Sequence, residues 1–350
     1  MKESAIKRIP MGWEVKILAF LAIIFIFYIG HPILFPLLLS FFLYVILNPI
    51  VDILELIRVP RFLATGIITI ALFGLISLGI TFLTEPAKQW INQAPEKLDV
   101  VEQKFSFIRK PMVRISELFK KAEEITEFKK EKQIEIQPIS PSIGYSLFDL
   151  TTNVILIIFL TIGFLFFLLI YLKTIFEKLD KIISQRQTKL KNHFFLSVGQ
   201  EISIYLLTFT IICVCLGITV GMILWLLGIP NAALWGVMVI FLNFIPYIGP
   251  SIGIVVIFFV SLLTFDSYFQ ILLPPLLYLL LCTLEGQIIT PILLGHRLNI
   301  NPLIVFFSIV FWAWLWGISG ALLSVPLLSL FKIIIEHIPS SSKYSLLLEK

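Results

Sequence analysis

The sequence predicts an all-α, polytopic helical membrane protein with about six full spans and two broken or re-entrant helical hairpins. Of its 350 residues, 58% are hydrophobic and 14% are charged, whereas a soluble domain has about 45–50% apolar and about 25% charged residues. The mean hydropathy is +0.99. The apolar runs are continuous, which indicates helices and not the alternating strands of a membrane barrel. Proline and glycine interrupt two of the runs, so eight spans, and up to ten crossings, also fit the pattern.

Five long apolar segments come first along the chain. They cover residues 17–30, 33–51, 62–83, 147–172 and 204–227. The first has the basic flank of a signal peptide, but no small-residue cleavage site follows, so we expect a retained helix. A tight turn at Gly30-His31-Pro32 is expected before the second span, which should end near Asn48-Pro49.

The next two apolar segments, 232–242 and 252–263, flank the run Asn243-Phe244-Ile245-Pro246-Tyr247-Ile248-Gly249-Pro250. Each is shorter than the about 20 residues that a helix needs to cross a bilayer. Irregular backbone at membrane depth is tolerated only where protein or a water-filled cavity satisfies its polar groups. Interrupted segments of this kind indicate the binding site of a transporter.

The remaining apolar segments are a span at 268–282 and a last pair at 303–331. Gly317-Ile318-Ser319-Gly320 interrupts the last pair, which also contains Pro326. We therefore expect a second broken or re-entrant hairpin at the end of the chain.

Basic residues predict the orientation of the chain, because Lys and Arg accumulate in short cytoplasmic loops. They occur before the first span, at Arg58 and Arg61, and in the segment 173–191, which has six basic and two acidic residues. These regions, and by parity the C-terminus, are expected to be cytoplasmic. The predicted parts are the first three spans (1–84), an outer helical loop (85–146), the fourth span with a basic cytoplasmic helix (147–203), a transport core (204–335) and a cytoplasmic tail (336–350).

Apolar residues in the outer loop alternate three and four positions apart from Leu98 to Ala122, which is a heptad pattern. Pro111 should kink or break this helix. The pattern fits either an oligomerisation or lid element, or an amphipathic helix that lies on the protein or the membrane surface.

One carboxylate, Glu285, stands inside a predicted span and is followed by Gln287, Thr290 and Pro291. A charge at bilayer depth is unfavourable by several kcal/mol, so such residues usually have a function. Pro291 is expected to interrupt the helix, and a carboxylate beside a break could bind a proton, a cation or a basic group. The alternative is a helix end at the interface, with Glu285 facing water.

The other candidate site is the run from Asn243 to Pro250. It offers the amide of Asn243, the phenol of Tyr247 and backbone carbonyls freed around Pro246, Gly249 and Pro250. Ends of discontinuous helices present partial charges to substrates and ions. The alternative is a tight turn between two crossings.

Several other functions are disfavoured. Cys213, Cys215 and Cys282 lie in apolar segments, and no histidine or carboxylate falls within a helical turn of the Cys213–Cys215 pair, so we expect no metal site and no cofactor. No nucleotide-binding loop occurs. The Gly-x-Ser-x-Gly pattern around Ser251 lacks the strand-turn-helix context of hydrolases, and we predict that the chain is not an enzyme. The basic residues lie beside membrane segments, which disfavours binding of nucleic acid.

The run Leu227-Gly228-Ile229-Pro230-Asn231-Ala232-Ala233-Leu234-Trp235-Gly236, leading into residues 244–250, resembles the autoinducer-2 exporter family of PerM-like permeases. The resemblance covers essentially the whole chain. It continues through Glu285, Thr290-Pro291, Gly295, Pro302, Trp314-Leu315-Trp316-Gly317 and Val325-Pro326, and near the N-terminus through Leu47-Asn48-Pro49 and Pro60-Arg61. The chain departs from the family at Gly286 and Gln287, where asparagine often follows the glutamate, and after Tyr205, where a Gly-Gln pair is absent.

The resemblance implies a multi-pass, oligomeric permease of the bacterial cytoplasmic (inner) membrane. Some members are linked to export of autoinducer-2 and others to sodium/proton exchange. We therefore predict a secondary transporter that exports a small solute, such as a quorum-sensing signal, or exchanges a monovalent cation for protons. Its expected partners are that solute or ion, membrane lipids and further copies of the chain. The alternative is a non-transporting membrane scaffold that acts through the outer loop and the cytoplasmic helix.

Overall fold

The structure is a computed structural model that describes residues 13–90, 143–186, 194–294 and 300–337. The described residues are helical and contain no β-strand, which confirms the all-α prediction. Six of the helices are long and apolar enough to cross a membrane. The heptad pattern predicted for the outer loop lies outside the described residues.

Nine helices follow one another in the described part of the chain. They are α1 (Trp13–Ile29), α2 (His31–Leu56), α3 (Arg61–Trp90), α4 (Ile143–Arg186), α5 (Phe194–Leu226), α6 (Ala232–Leu242), α7 (Ile248–Thr264), α8 (Tyr268–Leu294) and α9 (Pro302–His337). The break predicted between two short apolar segments is confirmed, because α6 ends at Leu242 and α7 begins at Ile248. The predicted helical continuation of the fourth span is also confirmed, since α4 runs on to Arg186.

The chain forms two compact units. Unit 1 comprises Met1–Ile70, Ile155–Thr208 and His296–Lys350, and unit 2 comprises Ala71–Val154 and Phe209–Gly295. The middle of the chain therefore builds unit 2, while both ends contribute to unit 1.

The tight turn predicted at Gly30 is wrong. Gly30 has right-handed helical dihedral angles (φ −73°, ψ −2°). Its N–H donates to the carbonyl of Ile26, and its own carbonyl accepts from the N–H of Leu34. Since the helical bonding pattern continues on both sides of Gly30, the chain bends between α1 and α2 without a reversing loop.

The predicted end of the second span near Pro49 is also wrong, because α2 continues to Leu56. A proline inside a helix leaves the carbonyl four residues earlier without its usual donor. That carbonyl belongs to Val45, and the hydroxyl of Ser203 on α5 donates to it at 2.6 Å. A side chain of a neighbouring helix thus satisfies the carbonyl that Pro49 leaves free.

Small residues allow close helix packing in unit 2. Gly217 of α5 lies against Gly236 of α6, where a Cβ on Gly217 would come within 2.6 Å of the Gly236 carbonyl oxygen. Close backbone contact is a usual source of helix association in membranes, where lipid removes most of the hydrophobic driving force. Beyond this contact, residues of α6, α7 and α8 form one buried cluster that includes Val239, Ile257 and Tyr278.

The last helix, α9, is a hairpin of two arms, residues 302–316 and 318–337. Gly317 has dihedral angles (φ 64°, ψ −145°) that are open only to glycine. The hydroxyl of Ser308 donates to the carbonyl of Ser324 at 3.2 Å, although these residues would be about 24 Å apart in a straight helix. The predicted interruption at Gly317 is confirmed, and the first arm, about 22 Å long, is too short to cross the bilayer core.

The tip of this hairpin is fixed to the N-terminal helices within unit 1. The indole N–H of Trp316 donates to the backbone carbonyl of Phe27 at 2.9 Å. The ring of Trp316 also lies 6.0 Å from that of Phe27 and 5.8 Å from that of His31. Aromatic contacts of this kind add to the burial of the rings.

Candidate functional site

Glu285 lies within α8, where five residues, Glu285–Ile289, form a π-helical turn. The N–H of Thr290 donates to the carbonyl of Glu285, five residues earlier, in place of the α-helical bond four residues back. The expected interruption at Pro291 is therefore wrong, because the helix continues to Leu294. The wider turn directly precedes Pro291 and accommodates the missing N–H, and such turns often occur at functional sites.

The side chain of Glu285 is buried, with the residue 9% exposed. The hydroxyl of Thr290 donates to its Oε1 at 2.5 Å. Glu285 thus faces the interior of unit 2, and the alternative of a water-facing helix end does not fit its burial.

Asn243 is a second buried polar residue of unit 2. It is 6% exposed, and its Nδ2 lies 3.5 Å from the sulfur of Cys213, to which it donates. Unit 2 therefore contains two polar side-chain pairs, Asn243 with Cys213 and Thr290 with Glu285.

The rest of the break forms the turn between α6 and α7. The N–H of Ile248 donates to the carbonyl of Pro246 at 2.7 Å, which makes a γ-turn around Tyr247 (φ 63°, ψ −54°). Gly249 lies so close to Leu242 that a Cβ would collide with the Leu242 carbonyl. Pro250 falls in the first turn of α7, where its missing N–H is not needed.

Three of the predicted site residues lie away from Glu285. Tyr247 is 64% exposed, and Gln287 and Pro291 are also exposed. Gln287 follows Glu285 by two residues, a spacing that directs two helical side chains to different faces. The exposed residues can contact lipid or a partner, but they do not surround the carboxylate.

Sequence reasoning missed the contact between Cys213 and Asn243. Cys213 is buried, as expected for an apolar segment, but its sulfur accepts the Asn243 amide. No local pattern reveals this contact, because 30 residues separate Asn243 from Cys213. Within the described residues, no group of three or more His, Cys, Asp or Glu side chains could hold a metal ion.

A second polar site in unit 1 was also missed. Arg61 donates to Asp52 at 3.1 Å, to Glu55 at 2.9 Å and to the backbone carbonyl of Leu169 at 2.8 Å. It also donates to Asn48 at 2.7 Å, and Lys173 donates to Asp52 at 3.0 Å. We call Asn48, Asp52, Glu55, Arg61 and Lys173 the ion cluster. Its three α2 residues, Asn48, Asp52 and Glu55, are four and three positions apart and so lie on one helix face. This pattern was missed because the span was expected to end at Pro49.

Comparison with known proteins places this architecture in a family. Residues 17–340 match the model of a protein family that is described as "AI-2E family transporter". The chain belongs to the AI-2E transporter family. It is therefore a transport protein of the permease type and a multi-pass membrane protein, and the resemblance stated from its motifs is confirmed.

Three bacterial relatives cover nearly the whole chain. A putative transport protein of Haemophilus influenzae is 30% identical over 91% of this chain and 91% of its own length. The AI-2 transport protein TqsA of Escherichia coli is 27% identical over 90% of this chain and 89% of its own. The putative transport protein YueF of Bacillus subtilis is 26% identical over 91% of each.

Proposed function

We propose that this AI-2E family member is a secondary transporter in which Glu285 binds the coupling ion. It exports a small solute, or exchanges a monovalent cation for protons, and an ion gradient drives the cycle. The carboxylate alternates between a protonated state and an ion-bound or substrate-bound state, while the hydroxyl of Thr290 orients it. The relatives come from bacteria, so we assign the chain to the bacterial cytoplasmic membrane.

The burial of one carboxylate inside an apolar span carries this proposal. Ionisable groups at such positions are rare and usually mark ion or proton pathways. Glu285 has a hydroxyl donor at 2.5 Å and lies at a π-turn, a helix irregularity that often occurs at functional sites. Asn243 adds a second buried polar side chain to unit 2, at the break after α6.

Proton flux in proteoliposomes tests the role of Glu285. The purified protein is reconstituted with a pH-sensitive dye inside the vesicles, and sodium or lithium is pulsed outside. We expect a cation-driven pH change that is lost in Glu285→Gln, because the amide cannot exchange a proton. Glu177→Gln is the matched control, since Glu177 is an exposed carboxylate on α4.

Either of two results would contradict the proposal. One is a wild-type rate of pH change in Glu285→Gln, which would exclude the carboxylate from the pathway. The other is the absence of flux in wild-type protein that elutes as a single species and also fails to export labelled autoinducer-2. The second substrate is chosen because the relative TqsA is named an AI-2 transport protein.

The ion cluster supports a proposed orientation. Arg61 at the start of α3 and Lys173 of α4 both donate to Asp52 near the end of α2, so these basic residues lie on one side of unit 1. We propose that this side faces the cytoplasm, as expected for basic residues near the ends of spans. The side chains of Leu330 and Ile334, close to the end of α9, line a cavity with Asp52 and Lys173, so the C-terminus is proposed to be cytoplasmic as well.

A further inference from the structure

Unit 1 contains a cavity of about 720 Å³ beside the ion cluster. Helices α2, α4, α5 and α9 line it. Its volume lies within the range of about 300–1,000 Å³ that is typical of sites for small ligands. Neither Glu285 nor the break after α6 contributes to it, so the proposed ion pathway does not explain this cavity.

The cavity has an apolar end and a polar end. Along α2 its lining extends from Phe41 to Asp52, which is about 16 Å at the helical rise of 1.5 Å per residue. The contact between Ser203 and the Val45 carbonyl fixes the register of α5 against α2. Gly199 of α5 faces the ring of Phe176 on α4, one turn beyond Lys173, which pairs with Asp52. The start of α5 therefore lies at the Asp52 end, and Leu207, one turn beyond Ser203, lies towards the Phe41 end.

The polar end presents both signs of charge. Asp52 and Lys173 line the cavity and are 3.0 Å apart, with side chains 38% and 37% exposed. Arg61 and Glu55, also in contact with this pair, complete a cluster of two cations and two anions. A purely anionic group would meet Asp52 and Glu55, and a purely cationic one would meet Arg61 and Lys173.

We propose that this cavity binds a zwitterionic amphiphile of the phosphatidylethanolamine type. The phosphate accepts hydrogen bonds from Lys173, the ammonium donates to Asp52, and an acyl chain lies along the apolar lining towards Phe41 and Leu207. A head group that pairs with both residues gains charge-assisted hydrogen bonds, and the acyl chain gains packing contacts along the apolar lining. This inference goes beyond transport and does not depend on the role of Glu285.

Native mass spectrometry of the full-length protein in maltoside detergent tests the site. The protein is titrated with phosphatidylethanolamine, with phosphatidylglycerol and with glycerophosphoethanolamine, which is the head without its chains. We expect the zwitterionic lipid to bind at least about tenfold more tightly than either of the others. Phosphatidylglycerol lacks the ammonium that pairs with Asp52, and one charge-assisted bond contributes about that factor, while the free head lacks the acyl chain that packs along the apolar lining. Equal binding of the two lipids would overturn the proposal, and equal binding of the free head would assign the site to a soluble zwitterion instead.

Two variants locate the binding. Lys173→Gln removes the phosphate partner, and Leu207→Trp fills the apolar end, so each should weaken binding of the zwitterionic lipid about tenfold. The matched controls are Lys178→Gln, an exposed position on α4, and Leu226→Trp, which is 74% exposed at the end of α5. Wild-type affinity in both Lys173→Gln and Leu207→Trp would exclude this cavity as the site.

Discussion

Tyr247 has a backbone conformation that residues with a side chain rarely adopt. Its φ of 63° places it outside the regions that a Cβ normally permits. The γ-turn around it directs the chain from α6 into α7, while its ring is 64% exposed and leaves no cavity if removed. Strain at such a position is about 1–3 kcal/mol and is often found at functional sites.

We therefore predict that Tyr247→Gly raises the stability of the detergent-solubilised protein by about 1 kcal/mol. Glycine relieves the strain, and its larger entropy in the unfolded chain offsets part of the gain. Thermal unfolding measures the change. Tyr28→Gly serves as control, since Tyr28 is an exposed residue within α1 and should lose about 1 kcal/mol. A loss of stability in both variants would contradict the strain at Tyr247.

Single residues were predictable from the sequence where a general rule applies to them. A carboxylate in an apolar span is conspicuous, and Glu285 is buried as its position suggested. The contact between Asn243 and Cys213 was not predictable, because it depends on the packing of α5 on α6. Gln287 is exposed although it follows Glu285 by two residues, since proximity in sequence does not place two side chains on one helix face.

Helix breaks were predicted correctly where glycine has a conformation that other residues avoid. Gly317 reverses the chain, and a Cβ at Gly320 would collide with the carbonyl of Trp312 on the opposite arm. Prolines were less reliable signals of a break. Pro49 and Pro291 lie inside continuous helices, because a serine hydroxyl satisfies the carbonyl freed by Pro49 and a π-turn accommodates Pro291.

The hairpin of α9 makes a specific prediction at Gly317. Gly317→Ala should destabilise the protein by about 1–3 kcal/mol, because its φ and ψ lie in a region open essentially only to glycine. Gly163→Ala is the matched control within α4, where a Cβ would meet no atom within 4 Å, and it should stabilise by about 0.5–1 kcal/mol. Thermal unfolding of both variants checks the pair, and equal effects would argue against the hairpin turn.

At the scale of the whole molecule, the ion cluster connects three helices of unit 1. Arg61 begins α3, contacts Asp52 and Glu55 of α2, and donates to the Leu169 carbonyl of α4. Its side chain is only 17% exposed, so the loss of its charge would leave partly buried carboxylates without their partner. Isolated ion pairs at a surface contribute little, but a network with several partners contributes more.

We predict that Arg61→Gln lowers the free energy of unfolding by about 2–3 kcal/mol. Removing one member of a buried pair typically costs about 3–5 kcal/mol, and the partial exposure of Asp52 and Glu55 reduces that effect. Arg58→Gln is the control, because Arg58 is exposed and its replacement should change stability by less than about 0.5 kcal/mol. Similar melting temperatures for the two variants would show that the cluster does not stabilise unit 1.

The architecture as a whole was predictable in class but not in assembly. Composition and apolar runs are sufficient to predict a helical membrane protein, because the bilayer admits few alternatives. The grouping of helices into two units was not predictable, since unit 1 joins residues from the beginning, middle and end of the chain. Trp316 and Phe27, which are in contact, lie 289 positions apart in the sequence. Contacts of this kind cannot be predicted from a local sequence pattern.

The arrangement of unit 1 also determines the order in which the chain can be assembled. Unit 2 ends at Gly295, so all of its residues have been synthesised before the last hairpin is made. Unit 1 requires that hairpin, whose Trp316 docks on the carbonyl of Phe27 near the opposite end of the chain. The helices synthesised first therefore cannot complete unit 1 until the last helix has been made. A chain that stops before Pro302 lacks the side of the cavity that Leu330 and Ile334 form.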